Sequence, residues 1–147
     1  MARSDQKTMC PSSQAKEGAQ LLGVRQEDGT VAILPQPLPV GKTFIETANR
    51  TSPAEQKFRF TNKCVEGGCQ QWNGKGCGIA DRLVEHLDKL TVSVRLPPCG
   101  IRSSCRWHLQ SGPDACRVCP YVITQLSKEE VEENQRAIQK FALTDLV

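Results

Sequence analysis

The sequence predicts an α+β fold: a small β-rich N-terminal lobe, two cysteine-rich loop regions separated by a helix, and a C-terminal helix. Three observations carry this expectation. Short apolar runs at residues 21–25 and 30–34 flank Glu27-Asp28-Gly29, and Asp-Gly between such runs signals a hairpin because glycine tolerates positive φ. Ile79, Leu83, Leu87 and Leu90 recur at spacings of four, four and three, which is one apolar face of a helix. Cysteines then punctuate the chain as Cys64-x4-Cys69-x7-Cys77 and Cys99-x5-Cys105-x10-Cys116-x2-Cys119-Pro120, with Cys10 standing apart near the start.

Taken in order, residues 1–19 are polar and read as irregular. The hairpin follows, and Pro35, Pro37 and Pro39 are expected to end its second strand and leave an extended segment. Residues 44–47 and 57–61 read as further strands, separated by Thr51-Ser52-Pro53. The four glycines between Cys64 and Cys77 argue against regular structure and let the backbone turn tightly enough to aim several thiols at one point. After the helix at 79–90, residues 91–96 alternate as a strand stopped by Pro97-Pro98, and residues 121–124 are a possible strand. Ser127 and Glu130 match a capping box, opening a C-terminal helix with Val131, Ile138 and Ala142 on its apolar stripe. The 147 residues make one domain, divided as a β-rich lobe (1–61), a cysteine-rich metal-binding region (62–126) and the C-terminal helix (127–147).

Composition narrows the function classes. No apolar run approaches the roughly 20 residues that span a bilayer, and the N-terminal residues do not form the apolar core of an export signal. A cytoplasmic, membrane-free protein is expected. In a reducing compartment clustered thiols point to metal ligands or redox thiols before disulfides. The net charge of +3 does not indicate nucleic acid. Arg95, Arg102, Arg106 and Arg117 do surround the last four cysteines, with only Asp114 opposing them. They either solvate a polar loop, compensate a negatively charged cluster or dock an acidic partner.

Zinc sites usually present ligands as two tight C-x2–4-C corners. Here Cys116-x2-Cys119 is tight, Cys64-x4-Cys69 is at the edge of that range, and the other gaps are irregular. A cubane cluster is larger than one ion and accepts ligands from well-separated loop positions. Cys116-Arg117-Val118-Cys119-Pro120 also resembles the end of many iron–sulfur binding segments, where proline follows a ligand cysteine, although the full ferredoxin run C-x2-C-x2-C-x3-C-P is absent. The expected cofactor is therefore one or two [4Fe–4S] clusters, with Zn2+ as the alternative. Cys99, Cys105, Cys116 and Cys119 suffice for one site. Cys64, Cys69 and Cys77 leave a fourth position open, which Cys10 can fold back to fill if it is not a free thiol; Glu66 and His86 are other candidates. Trp72 and Trp107 each follow the second cysteine of a region and are candidates to shield a cluster, while His108 lies within reach of the second site.

No catalytic constellation, P-loop or dinucleotide fingerprint is present. An electron carrier or redox accessory protein is expected rather than an enzyme, with a protein redox partner. The alternatives are a cluster-based redox-sensing regulator that binds nucleic acid or a protein partner, and a zinc-stabilised structural adaptor.

Overall fold

The structure is a computed structural model that describes residues 8–85, 87, 95–96, 98–125, 127–130 and 132. The fold is α+β. Strands β1 (Met9–Ser13), β2 (Gln20–Arg25), β3 (Val31–Pro39) and β4 (Phe58–Lys63) make one antiparallel sheet in the order β1-β4-β2-β3. Helices α1 (Lys42–Ala48), α2 (Gly78–Glu85), α3 (Arg106–Ser111) and α4 (Pro113–Val118) complete it.

The expected hairpin joins β2 to β3. Gly29 takes φ +90°, and Thr30 N donates to Asp28 Oδ1 at 2.9 Å inside the turn. β3 does not stop at its prolines as expected. It runs on to Pro39, because β3 is an edge strand and its register slips where the prolines fall: Gly23 pairs with Ile33, but Leu21 pairs with Leu38. The extra residues form a bulge, where a proline without an N–H leaves no ladder bond unmade.

Two other expectations are corrected. Residues 44–47 lie in α1 and not in a strand. Helical spacing puts Phe44 and Ala48 on one face, and the Phe44 ring meets Phe58 and Phe60 at centroid distances of 5.4 and 6.5 Å; that packing outweighs the local strand preference. Residues 9–13, expected to be irregular, form β1, whose polar side chains are tolerated because it is the other edge of the sheet. Residues 119–121 form a single 3-10 turn, and Val122 and Ile123 continue it as buried non-strand chain. The strand expected at 91–96 falls mainly outside the described residues.

Both faces of the sheet are covered. Phe60, Leu21, Ala48 and Ala54 form one apolar cluster with Phe44 and Phe58 against it. On the opposite side Leu22 joins Ile79, Leu83, Trp107, Val118 and Val122 from the cysteine-rich half. Period-2 alternation therefore sends Phe58 and Phe60 of β4 toward the first cluster and Arg59 the other way. The capping box forms: Ser127 N donates to Glu130 Oε1 at 3.0 Å and Glu130 N to Ser127 Oγ at 3.1 Å. Arg25 of β2 pairs with Glu130, tying this helix start to the sheet; the apolar stripe proposed for the helix lies outside the described residues. Among the described residues no helix is long and apolar enough to cross a membrane.

Candidate metal centre

The first cysteine region approaches the sheet through β1. Met9 pairs with Lys63 and Cys10 with Asn62, and Cys64 N extends the ladder by donating to Thr8 O at 2.8 Å. Cys64 lies two residues beyond the partner of Cys10, so the two side chains leave the same face of the sheet as diagonal neighbours. Cys69 follows a 3-10 turn at Glu66–Gly68, and Cys77 bridges Trp72 just before α2. The thiol of Cys10 is pushed up to about 11, mainly by burial and further by the charges of Cys64, Cys77 and Cys69.

The second set is more enclosed, and its expected loop is largely helical. Cys99 precedes a 3-10 turn at Arg102–Ser104, Cys105 immediately precedes α3, Cys116 lies within α4 and Cys119 opens the turn after it. All four, with Arg102, surround one narrow cavity of ≈ 20 Å³ walled by Pro11, Leu22, Ile33 and Trp107. That is room for about one water. Burial pushes the Cys105 thiol up to about 12 and raises Cys99 and Cys116; the charge of Cys119 acts on all three. Backbone groups oppose this: those of Trp107 and His108 act on the Cys105 sulfur, Ile101 on Cys99 and Ser12 on Cys10. Dipoles aimed at sulfur favour the thiolate.

The two sets are neighbours separated by β1. Pro11, next to Cys10, lines the second cavity, and Met9 forms a parallel bridge with Cys105. Gln110 of α3 adds a direct tie. Cys77 N donates to its Oε1 at 2.8 Å, and its Nε2 donates to Cys77 O at 2.8 Å and Asp81 Oδ1 at 2.7 Å.

Arg59 was passed over by sequence reasoning. It is 1% exposed; Nε donates to Pro11 O at 2.9 Å, Nη1 to Cys119 O at 2.8 Å and Val122 O at 3.1 Å, and Nη2 to Cys119 Sγ at 3.1 Å. Its guanidinium lies 5.3 Å from the centre of the Trp107 ring. The available signal was an arginine between two phenylalanines in an expected strand.

Other candidates sort plainly. Trp107 is buried in the cavity wall, while Trp72 is half-buried beneath the Arg106 guanidinium at 5.0 Å. Glu66 is taken by Arg106 at 2.5 Å, and Arg117 pairs with Asp114, so two of the four rim arginines already hold carboxylates. His108 Nδ1 is buried without a hydrogen-bond partner; His86 lies outside the described residues. Every cysteine is a free thiol. Among the described residues, no three Cys, His, Asp or Glu side chains form a group arranged to hold a metal ion.

The donor chemistry fits an iron–sulfur group better than a hard cation. Each set offers four soft thiols, and the second has a buried guanidinium on one of its sulfurs. No protein-family model, curated protein or solved structure matches this chain.

Proposed function

We propose that this chain is an iron–sulfur protein that holds a [4Fe–4S] cluster at each four-cysteine set and serves as an electron carrier or redox accessory to a protein partner. The observation that carries the reading is that Cys99, Cys105, Cys116 and Cys119 line one narrow cavity, with the buried Arg59 guanidinium on the Cys119 sulfur; Cys10, Cys64, Cys69 and Cys77 are proposed as the other set. Bound clusters would supply one-electron transfer. The protein's part is to surrender the thiol protons on ligation, stabilise the thiolates with backbone dipoles, and exclude water with Trp107 and the apolar wall. Eight unpaired thiols suit a reducing cytoplasm. An acidic partner surface would dock through the arginine-rich rim of the second set.

Anaerobic purification tests this. The expected protein is brown, absorbs broadly near about 400 nm, bleaches on reduction and carries acid-labile sulfide. A colourless protein with stoichiometric zinc would replace this reading by that of a zinc-stabilised adaptor.

A further inference from the structure

We propose that Arg59 is the buried counter-charge of the second cysteine set and makes that set the more easily reduced of the two. This rests on the reading of both sets as cluster sites. A guanidinium this deep is costly unless its charge is answered. Among the described residues no carboxylate meets Arg59: its bonds go to three carbonyls and the Cys119 sulfur. Carbonyls offer only partial charge, and the one remaining acceptor on the guanidinium is the Cys119 sulfur, where a bound cluster would place negative charge. The hydrogen bond to sulfur is charge-assisted and held in place by the other three bonds of the same fork.

The two sets differ in this respect. Arg102 hydrogen-bonds Cys116, and both Arg102 and Arg59 bring positive charge to Cys99. In the first set the Cys69 sulfur accepts from the backbone N of Gln71 at 3.4 Å, a neutral donor. Reduction adds negative charge to whatever the thiolates hold, and hydrogen bonds and cations at the sulfurs favour that state. The second set is therefore the electron-accepting end.

The sets are also close enough to exchange electrons. Cys10 is one residue from Met9, and Met9 is bridged to Cys105. One Cα step and one strand spacing put the Cys10 and Cys105 Cα atoms within about 9 Å. In that exchange one electron leaves the first set and one enters the second, with no bond or proton transferred.

The test is an anaerobic redox titration of the full chain followed by electron paramagnetic resonance. Two one-electron waves are expected, and Cys119→Ser should remove the higher one. Arg59→Met should make reduction of the second set at least about tenfold less favourable, a shift of 59 mV for one electron, without moving the lower wave. Arg59→Lys should retain most of the native value. If Arg59→Met does not fold because three carbonyls lose their donor, Arg102→Met, which leaves those bonds intact, should shift the same wave in the same direction. Loss of the lower wave in Cys119→Ser, or waves that ignore both arginines, would overturn the inference. A protein with no iron, no sulfide and no wave would instead remove the cluster reading on which it stands.

Discussion

Replacing Cys10 by serine separates the two cysteine sets most cleanly. Serine is close to isosteric, so β1 keeps its pairing with β4 and Pro11 keeps its place in the second cavity. The change removes one sulfur from the group formed with Cys64, Cys69 and Cys77 and none from the second set. If each set holds four irons, the native chain carries about eight and Cys10→Ser about four. Reconstitution under strict anaerobiosis, followed by colorimetric iron and sulfide analysis, reads the count directly. Cys119→Ser is the mirror experiment and should also leave about four, held by the first set. An unchanged count of eight in Cys10→Ser would show that Cys10 is no ligand. Loss of all iron in either variant would show that the grouping into two independent sets is wrong.

Three further outcomes are expected. A Cβ at Gly100 would stand 2.6 Å from Pro35 O and Pro37 Cδ and 3.0 Å from Gln36 Cα, so Gly100→Ala should cost about 1–3 kcal/mol in urea unfolding through overpacking against backbone. Arg25 and the Ser127 cap hold the Glu130 carboxyl down to about 2 from an ordinary 4.5. A lowered pKa stabilises above the unfolded value and is lost as pH falls through the folded one, so acid titration should remove stability between about pH 4.5 and 2. Because the pair is still partly open to solvent, the loss is about 1 kcal/mol or less, and Glu130→Gln should flatten that slope. For chelator-treated protein the sign reverses at the thiols: burial raises Cys10 to about 11 and Cys105 to about 12 from 9.0. Their contribution is full below pH 9 and lost as pH climbs through those values. Iodoacetamide at pH 8 followed by mass spectrometry should accordingly modify these two slowly, since the thiolate is the nucleophile.

What was legible in the sequence was local. The Asp28-Gly29 turn, the strand at 58–61, the helix after Cys77 and the Ser127–Glu130 box each rest on a few adjacent residues whose chemistry decides the conformation. The misreadings were set by tertiary context. Residues 44–47 carry Phe44, Ile45 and Thr47 and read as strand, but Phe44 has to cover Phe58 and Phe60 from a helix. β3 continues through three prolines because it is an edge strand, with no partner on its outer side among the described residues. At the candidate centre, the spacing of the last four cysteines already marked them as one set. The place of Cys10 depended on β1 pairing with β4 more than fifty residues away, a contact no local pattern announces. Arg59 was hidden for a similar reason, since the alternation of β4 showed two faces but not that both would be buried.

The central claim is that these thiols hold iron–sulfur cubanes. Mössbauer spectroscopy on native protein reconstituted with enriched iron, alongside total metal analysis, tests it most directly. The account predicts spectra of [4Fe–4S] clusters alone, at about eight irons per chain. Isolated tetrahedral iron, or zinc retained in place of iron after anaerobic reconstitution, would contradict it.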